Sequence, residues 1–357
     1  MKKYSIVIVA YEMKLLLKNC LESINNIKGF TRDEFEVIVS DDGSTDGTYE
    51  FIKDVNRNYD LKYIYTKRSE LSCRNRARNI GLKEASGEVI ILLDGDVIVK
   101  ENILEEFDRC YSKCRDIIVT GTRIMLNEDV SYGDVVSKEV FERFQFDVND
   151  RNALDSRYPL FDTLSYNYNA INCSWLLAYT CVISIPRKYF DVVGCFDENI
   201  KGWGFDDSEL LYRLFKLNTK VLINLKVEVL HQKHNSFRDT LNEHLIEEFY
   251  ENVQYFFNKH KDALEYLPEN LVDYFMENRL IELLSPKYSV KEEITIDFID
   301  KDSIQTLNEN IASHLNTEGI VLTINDYVEE TDLDISIQLL QNHRCLIKYF
   351  PMSKRIR

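Results

Sequence analysis

Tyr4-Ser-Ile-Val-Ile-Val-Ala10 is a short apolar run rich in β-branched residues, and an amphipathic segment, Leu15–Ile27, follows it directly. The first pattern predicts a buried strand and the second a helix. The alternation continues along the chain, with strands predicted at Phe35–Ser40, Leu61–Tyr65 and Glu88–Leu93 and a helix at Cys73–Ala85. Such alternation implies right-handed crossovers, so the first 125 residues predict an α/β fold with a mostly parallel sheet and helices on both faces.

The pattern is lost over residues 127–172, where charged, aromatic and asparagine residues show no clean period. We expect this stretch to be a long excursion over the functional face. Beyond it, apolar spacing predicts regular structure at Trp175–Ile185, a helix at Asp206–Leu217, strands at Lys220–Ile223 and Lys226–Leu230, and long helices at Asp239–Lys259 and Pro268–Leu284. After Ser285-Pro286, strand-like runs at Ile294–Ile299, Ile320–Ile324 and Cys345–Phe350 predict a small α/β module.

Charge and hydropathy restrict the partners. The 357 residues carry 44 Lys and Arg against 60 Asp and Glu, a net charge of −16. Without a basic run, this balance argues against nucleic acid and means that a phosphate ligand needs local arginine or a metal ion. The apolar stretch Trp175–Ile185 is shorter than the about 20 residues of a membrane span. The run Ile6–Tyr11 meets Glu12 before a signal-peptide core forms, so we expect a cytoplasmic protein, with peripheral membrane contact left open.

The 8 cysteines are scattered and include no Cys-x-x-Cys pair. This spacing argues against a zinc or disulfide framework and predicts buried thiols that act as small apolar side chains.

Polar side chains follow three of the predicted strands. Tyr11 and Glu12 come after the first strand, Asp41-Asp42 after the second, and Asp94-Gly95-Asp96 after the fourth. In an open parallel sheet, ligands bind at the carboxyl ends of the strands. Polar residues at one strand end are ordinary turn material, but three such ends predict a pocket.

Asp94 and Asp96 have the spacing at which strand residues point to the same side, with no side chain at Gly95 between them. Two neighbouring carboxylates repel unless one is protonated or a cation lies between them. Oxygen ligands suit Mg²⁺ or Mn²⁺, which complete their coordination with water and substrate phosphates. The alternative is an Asp-Gly-Asp turn that simply closes the strand.

The turn Asp41–Asp46 contains side chains that can cap the following helix, which leaves Asp42 free to accept a hydrogen bond from a ring N–H such as that of uracil. The chain has neither a phosphate-binding P-loop nor a Gly-x-Gly-x-x-Gly after its first strand, so both modes of nucleotide binding are disfavoured. The run Arg74–Asn79 supplies positive charge, and Arg78 is its candidate for a phosphate. The alternative for this run is a solvated helix face.

Four blocks of sequence, Ser5–Tyr11, Val39–Asp46, Ala77–Asn79 and Leu93–Asp96, resemble in order and spacing those of family-2 inverting glycosyltransferases. That family has the GT-A fold, in which a nucleotide-binding α/β half merges with an acceptor-binding half. The resemblance implies that Tyr11 and Asp42 contact the base, Asp94 the ribose, and Asp96 the metal on the diphosphate. Glu12, counted with the nucleotide-sugar-binding residues, stands where the family usually has Asn.

The segment Gly202-Trp-Gly-Phe-Asp-Asp207 is similar to the Trp-Gly-x-Glu-Asp segment of β-1,4-galactosyltransferases and chondroitin-type polymerases, with Asp206 in place of Glu. The resemblance implies that Asp207 is the general base, that Trp203 stacks on a sugar, and that Asp206 also lies on the acceptor side. For Glu209 we expect instead a surface ion pair with Arg213, four residues on.

Asp207 lies at a predicted helix start, where the dipole lowers its pKa, whereas burial and the adjacent Asp206 raise it. We expect the second pair of effects to prevail once an acceptor excludes water. The resemblance also implies a metal-ligand histidine after the Trp-Gly segment, for which His231 is the candidate and His234 the substitute.

The sequence thus predicts metal-dependent, inverting transfer of a sugar from a UDP-sugar to the hydroxyl of a glycan or glycoconjugate, with Mn²⁺ or Mg²⁺. The alternatives are a nucleotidyltransferase that makes sugar nucleotides and a non-catalytic nucleotide- or glycan-binding module. The predicted domains are residues 1–235 (a nucleotide-binding half, 1–125, and an acceptor half, 126–235), a helical extension, 236–285, and the module 286–357, through which the chain could form a homodimer.

Overall fold

The structure is a computed structural model that describes residues 2–53, 57–144, 155, 157–158, 173–234, 243–277, 279–284, 290–314, 317–328 and 346–351. It divides into two compact units. The first comprises Met1–Asp155, Ala178–Thr219 and Ile223–Leu264, and the second Ser156–Leu177, Lys220–Leu222 and Glu265–Arg357. The predicted domain boundaries stay a prediction.

The strands are β1 Tyr4–Ala10, β2 Phe35–Asp41, β3 Asp60–Tyr65, β4 Val89–Asp94, β5 Val97–Ile98, β6 Ile117–Met125, β7 Val182–Pro186, β8 Lys220–His231, β9 Glu292–Phe298, β10 Ile320–Asp326 and β11 Leu346–Pro351. The α-helices are α1 Lys14–Asn25, α2 Thr48–Ile52, α3 Arg74–Glu84, α4 Ile103–Lys113, α5 Tyr132–Val136, α6 Val140–Arg143, α7 Arg187–Val193, α8 Asp206–Phe215, α9 Glu243–Lys259, α10 Leu271–Met276, α11 Leu280–Leu284 and α12 Ile304–His314. Short 3-10 turns lie at Ser174–Leu177, Lys261–Glu265 and Lys301–Ser303.

In the described part of the chain, the strands β1 to β8 form one sheet in the order β3-β2-β1-β4-β7-β6-β8-β5. The pairs β1–β2, β2–β3 and β1–β4 are parallel, whereas β7 pairs with β4 and β6 in the antiparallel sense. The chain therefore leaves β1 for β2 on one side and later returns to β4 on the other. This reversal is the topological switch point at which open α/β sheets bind ligands.

The strands β1, β2 and β4 are buried almost throughout because they have helices on both faces and few polar side chains. Helix α3 packs against β1 and β2, and its Gly81 allows the close approach, since a Cβ there would collide with Val7. The predicted fold class, a mostly parallel α/β sheet with flanking helices, is confirmed.

Two of the predicted elements are wrong in detail. The two strands predicted between residues 220 and 230 are one strand, β8, which continues through Asn224 even though that side chain accepts a local hydrogen bond from Lys226 N at 2.9 Å. The long helix predicted at Pro268–Leu284 is instead two short ones, α10 and α11. Between them Arg279 N donates to the carbonyl of Tyr274, five residues back, which interrupts the helical ladder.

The second unit contains a parallel sheet in the order β11-β10-β9. Its core comprises Phe298, Leu307, Ile311, Ile320, Leu322 and Ile324. The α/β pattern predicted for this region is confirmed, whereas a homodimer through it stays a prediction. Within the expected excursion 127–172, the described residues form α5 and α6, and most of the remainder lies outside the described residues.

None of the helices in the described ranges is both long enough and apolar enough to cross a bilayer. The described cysteines are all free thiols, and most of them are buried. Cys345 lies outside the described residues.

Candidate active site

The carboxyl ends of β1, β2 and β4 meet at one edge of the sheet. Ala10 lies beside Asp41 in the register of β1 with β2, and Val9 lies beside Asp94 in the register of β1 with β4. The side chains that follow the three strands in sequence are thus neighbours in space. The pocket predicted from these strand ends has the backbone geometry that it requires.

The adjacent aspartates after β2 differ in their partners. Asp41 is fully buried and supports the turn, accepting hydrogen bonds from Ser44 N at 2.7 Å and from the hydroxyl of Tyr63. Asp42 forms an ion pair with Arg68, whose Nη1 lies 2.9 Å from Oδ2. Asp41 is therefore a structural residue of the turn, whereas the predicted base contact of Asp42 stays a prediction.

Arg68 connects Asp42 to Tyr11. Its guanidinium carbon lies 3.9 Å from the centroid of the Tyr11 ring, a stacking distance for a cation on an aromatic face. Tyr11 is 42% exposed, so one planar group already lies against a ring that remains accessible. The three side chains form a small platform with an acceptor, a donor and an aromatic surface.

Glu12 has a left-handed backbone with φ of 50°. Its Oε1 accepts hydrogen bonds from Thr45 N at 2.8 Å and from Thr45 Oγ1 at 2.9 Å, while its N–H donates to Ser44 Oγ. Glu12 thus ties the end of β1 to the turn after β2. Its predicted contact with a nucleotide sugar is not tested by these bonds and stays a prediction.

Asp94 and Asp96 differ in environment. Strand β4 ends at Asp94, so Asp96 lies in the following turn and not on the strand. The Asp94 side chain is 39% exposed, whereas that of Asp96 is 11% exposed. Position 95 has no room for a side chain, because a Cβ atom there would lie 2.7 Å from the sulfur of Met13.

Asp96, His231 and His234 form a cluster whose potential ligand atoms all lie within 4.8 Å of one another. Asp96 Oδ2 is 3.6 Å from His231 Nε2 and 2.9 Å from His234 Nε2. The end of β8 pairs with β5, with His231 opposite Val97, and this pairing brings the histidines to the turn that contains Asp96. His231 and its substitute His234 therefore lie together beside Asp96.

This donor set fits a divalent cation. Asp96 Oδ1 is buried and accepts no hydrogen bond from the residues that the structure describes, so one carboxylate oxygen is left for a ligand. Burial would raise the pKa of Asp96, but the two histidines and Arg123 outweigh burial and lower it. Burial lowers the pKa of His231, which favours the neutral imidazole that binds metals. One carboxylate and two imidazoles differ from the all-oxygen ligand set that Mg²⁺ prefers.

Arg78 contacts carboxylates at the end of β4 and at the start of α8. It is buried in α3 and forms an ion pair with Asp206, while its Nη1 lies 3.6 Å from Asp207 Oδ1 and its Nη2 lies 4.0 Å from Asp94 Oδ1. Burial of the guanidinium is compensated by these carboxylates, which together raise its pKa. The carboxylates after β4 and at the start of α8 therefore share one cation.

Asp206 and Asp207 have opposite pKa shifts. Burial would raise the pKa of Asp206, but Arg78 and Arg74 lower it. Burial and the adjacent Asp206 raise the pKa of Asp207 and outweigh Arg78 and the hydrogen bonds from Thr180. The raised value expected only with an acceptor is already present in this structure. Carboxylates whose environments separate their pKa values are typical of acid–base sites.

The Trp-Gly segment before α8 has an unusual backbone. Gly202, Gly204 and Phe205 have φ values of 70°, 93° and 66°. Such left-handed geometry suits glycine but is uncommon for phenylalanine. Phe205 is buried, and its ring lies 4.9 Å from that of Phe256 on α9, a contact that holds it in place.

Helix α9 holds this segment through polar groups. Asn252 Nδ2 donates to the carbonyls of Lys201, Trp203 and Gly204 at 2.9, 3.2 and 3.0 Å. Glu248 Oε2 accepts from Trp203 N at 3.1 Å. The same helix packs so closely that a Cβ on Gly202 would overlap the Glu248 carboxylate and one on Gly204 would overlap Phe249. Trp203 is itself half-buried, with its ring 5.2 Å from that of Phe249.

The expectation of a surface ion pair at Glu209 is wrong. Glu209 is fully buried, and besides Arg213 at 2.8 Å it contacts Lys259 at 2.7 Å and His260 at 3.0 Å. Burial would raise its pKa, but these partners lower it to about 2. The i, i+4 spacing identified the Arg213 partner, but it carried no signal that α9 covers this face of α8.

Sequence reasoning missed Thr180, Arg68 and Asn252. Thr180 is 2% exposed and lies two residues before the start of β7. The antiparallel pairing of β7 brings this stretch to the end of β4, where Cys181 O accepts from Asp94 N at 3.2 Å. Arg68 lies three residues beyond the end of β3, a position that its charge alone did not distinguish from Lys67. Asn252 lies on a helix whose apolar spacing predicted packing but not polar partners.

Comparison with known families matches two adjoining stretches of the chain. Residues 5–163 match the model of glycosyl transferase family 2, and residues 165–235 match the N-terminal domain of galactosyltransferase. The first match contains the strand ends described above, and the second contains the Trp-Gly segment.

Among curated proteins, the chain is similar to validoxylamine A glucosyltransferase of Streptomyces hygroscopicus subsp. jinggangensis, with 28% identity over 218 residues, 59% of this chain and 50% of that one. The chain spans half the length of that relative and less of the hyaluronan synthase of Pasteurella multocida and the chondroitin synthase of Escherichia coli, which it also matches.

Two solved structures share the fold. One is a mannosyltransferase from Pyrobaculum calidifontis in complex with GDP-Man and Mn²⁺, with a TM-score of 0.50, 14% identity and coverage of 88% of this chain and 81% of that one. The other is TarS 1-349 from S. aureus in complex with UDP-GlcNAc, with a TM-score of 0.50, 17% identity and coverage of 78% and 72%. These likenesses confirm the predicted GT-A-like fold, and the two family matches, over residues 5–163 and 165–235, are both to glycosyltransferase models.

Proposed function

We propose that this chain is an inverting, metal-dependent glycosyltransferase that moves a sugar from a UDP-sugar to a hydroxyl group of a glycan or glycoconjugate. The observation that carries this proposal is the position of Arg78. It lies 4.0 Å from Asp94, at the strand end on the donor side, and 3.6 Å from Asp207, on the acceptor side. A nucleotide diphosphate near the first carboxylate and an acceptor near the second would therefore occupy one site.

The platform formed by Asp42, Arg68 and Tyr11 supports uridine as the nucleoside. The imide edge of uracil presents one N–H donor between two carbonyl acceptors. Asp42 can accept from that N–H, Arg68 can donate to a neighbouring carbonyl, and the Tyr11 ring offers a stacking surface. Guanine presents two adjacent donors and needs both carboxylate oxygens, one of which already contacts Arg68 at 2.9 Å. Asp94, exposed beside this platform, is assigned to the ribose.

Asp96, His231 and His234 would hold the metal ion. A bound Mn²⁺ or Mg²⁺ supplies charge stabilisation for the departing diphosphate. In this chain, the buried Asp96 carboxylate would bind the ion, and the positive charge of Arg78 would offset part of the charge of the diphosphate. The acidic net charge of −16 makes such local compensation necessary for a phosphate ligand.

Asp207 is assigned as the general base. Inversion in a single displacement needs one carboxylate near the attacking oxygen, and the raised pKa of Asp207 strengthens it as a proton acceptor. Its side chain is 24% exposed, so an acceptor hydroxyl can reach it. Asp206, tied to Arg78, stays ionised and keeps the guanidinium in place.

Trp203 is assigned to stacking on the acceptor sugar. Its ring is half-buried against Phe249 and borders the segment that leads into Asp207. One relative named above is a glucosyltransferase, and one solved neighbour was bound to UDP-GlcNAc and the other, a mannosyltransferase, to GDP-Man with Mn²⁺. These names support a nucleotide-sugar donor without deciding which sugar this chain uses.

The test is the release of UDP from a panel of UDP-sugars, with GDP-mannose as the competing donor class. Measurements with Mn²⁺ and then with excess EDTA separate metal dependence from donor choice. We expect UDP release with Mn²⁺, its loss in EDTA, and little turnover of GDP-mannose. If no UDP-sugar binds or turns over under either condition, the proposal is wrong. Mass spectrometry of products formed with a glycan library then identifies the acceptor and the linkage.

A further inference from the structure

Thr180 holds both oxygens of the Asp207 carboxylate. Its hydroxyl donates to Oδ1 at 2.5 Å, and its backbone N–H donates to Oδ2 at 3.1 Å. Thr180 is 2% exposed, so these bonds form in a site from which water is largely excluded. A helix-start aspartate commonly bonds to its own backbone, but here the partner is 27 residues away in sequence.

The direction of the Thr180 hydroxyl is set by Arg78. Arg78 Nη2 donates to Thr180 Oγ1 at 2.8 Å. A guanidinium has no acceptor and stays protonated, so the hydroxyl oxygen must be the acceptor in this contact. Its single hydrogen is then left for Asp207 Oδ1. Arg78 therefore donates to Thr180, Thr180 donates to Asp207, and neither hydrogen bond can be reversed.

We propose that Thr180 is a positioning residue that fixes the rotation of the Asp207 carboxylate, so that a free lone pair faces the acceptor hydroxyl. This inference rests on the proposed role of Asp207 as general base. Each carboxylate oxygen can accept two hydrogen bonds. With one bond to Thr180 on each oxygen, the plane of the carboxylate is set and a second position remains for the proton taken from the acceptor.

The charges around Asp207 predict how its titration responds. Arg78 lies 3.6 Å from it, Asp206 is its neighbour in α8, and Asp94 lies on the opposite side of Arg78 at 4.0 Å. Burial and Asp206 raise the pKa of Asp207, while Arg78 and the two bonds from Thr180 lower it. Removing the Thr180 hydroxyl removes one lowering influence, so the pKa of Asp207 should rise further.

The experiment compares Thr180→Val, which keeps the shape but loses the hydroxyl, with Thr180→Ser, which keeps the hydroxyl. The probe is UDP release from UDP-GlcNAc, or from UDP-glucose where that donor turns over faster, with Mn²⁺ between pH 4 and 9. A charge-assisted hydrogen bond predicts that Thr180→Val lowers kcat about tenfold and moves the acid limb of the pH profile upward by about one unit. Thr180→Ser should restore both to near the wild-type values, and the Kd for UDP with Mn²⁺ should be unchanged in both variants.

Each result has one meaning. A Thr180→Val variant with the wild-type kcat and pH profile overturns the inference, as does equal loss in Thr180→Val and Thr180→Ser. If Thr180→Val has a lowered melting temperature, Thr180→Ala at a temperature below its transition gives the same comparison without a crowded methyl group. Wild-type protein that releases no UDP contradicts the proposed function instead, which separates the two failures.

Discussion

The donor and acceptor sides of the site are built in different ways. On the donor side, the side chains follow strands that lie next to one another in the sheet, as the register of Val9 with Asp94 shows. On the acceptor side, the segment Gly202–Phe205 has left-handed backbone angles and is held by a helix about 45 residues further along the chain. The first arrangement follows from local sequence order, whereas the second depends on contacts between distant residues.

The two sides also differ in the interactions that stabilise them. Strand pairing positions Asp94 as the last residue of β4 and Asp42 directly after β2, where its N–H donates to the carbonyl of Ala10 at 2.9 Å, so their placement depends on the main sheet. The Trp-Gly segment depends instead on its contacts with α9, which are the polar bonds of Asn252 and Glu248 and the ring contacts of Phe249 and Phe256. We therefore expect variants of α9 to affect the acceptor side and to leave donor binding intact. The following predictions test that separation.

The largest effect is expected from Asp207→Asn. Loss of a general base lowers transfer by about 10²- to 10⁴-fold. Binding of UDP with Mn²⁺, measured by calorimetry, should stay within about twofold of wild type, because Asp207 is not among the groups assigned to the nucleotide. Equal transfer rates in the variant and wild type would remove Asp207 from its role.

The pH dependence of Asp207 has a defined sign. A base acts only when it is deprotonated, so transfer should fall as pH decreases through the pKa of Asp207. Because burial and Asp206 raise that pKa, the fall should begin at a higher pH than for an ordinary aspartate. An acid limb at the ordinary aspartate value would show that this carboxylate is not the base.

Glu209→Gln should have the next largest effect, and it acts on stability. Removing one partner of a buried ionic cluster costs about 3 kcal/mol in the free energy of unfolding, about a hundredfold in the folding equilibrium. The pKa of Glu209 is lowered from 4.5 to about 2 in the fold. Its contribution is therefore complete above about pH 4.5 and is lost as the pH falls toward 2.

The control for that variant is Glu251→Gln on the exposed face of α9. Denaturant unfolding at pH 7 and at pH 3 should show a difference between Glu209→Gln and wild type that is large at pH 7 and smaller at pH 3. A difference independent of pH would mean that the ionised form of Glu209 does not stabilise the α8–α9 contact.

On the donor side, Asp96→Asn should weaken Mn²⁺-dependent binding of UDP. Losses of about 10- to 100-fold are typical for groups around a metal site, and a neutral amide is a poorer ligand than a carboxylate. Asp116→Asn, at a carboxylate that is 69% exposed, is the control and should bind like wild type. The metal site is assigned wrongly if Asp96→Asn binds UDP as tightly as wild type in Mn²⁺ and EDTA lowers the UDP affinity of neither protein.

The smallest effect, about tenfold on transfer, is expected from Asn252→Ala, which removes hydrogen bonds worth about 1 kcal/mol each to the Trp-Gly segment. The chain has 2 tryptophans, and Trp175 is buried whereas Trp203 is half-buried. Acrylamide quenching of tryptophan fluorescence therefore reports on Trp203, and it should increase in Asn252→Ala. UDP binding should not change.

Asn258→Ala is the matched control, since Asn258 is exposed on the same helix. Should Asn252→Ala weaken UDP binding as much as it weakens transfer, the two sides of the site would not be separable in the way that their construction suggests.

The sequence predicted the donor side well because its signals are local. Apolar β-branched runs identified β1 with the bounds seen in the structure, and the polar residues after each strand could be assigned to one edge by topology alone. The resemblance gave His231 as the histidine near Asp96, with His234 as its substitute, and in the structure both lie beside Asp96. The sequence did not predict which side chain each carboxylate contacts.

The acceptor side lacked such signals. Glu209 has the spacing of a surface pair, and only the packing of α9 shows that it is buried. Thr180 precedes a strand whose antiparallel direction was not evident from its apolar pattern, so its approach to Asp207 was hidden. Long-range polar contacts of this kind depend on the final packing of helices, and a periodicity in one segment carries no information about them.

The close approach of α9 to Gly202 and Gly204 limits how this segment can vary among relatives. A side chain at position 202 or 204 can be accommodated only if Glu248 or Phe249 becomes smaller or moves away. Positions 202, 204, 248 and 249 should therefore covary. A recombinant that takes the loop from one relative and the helix from another should fold poorly, whereas one that takes both from the same parent should fold.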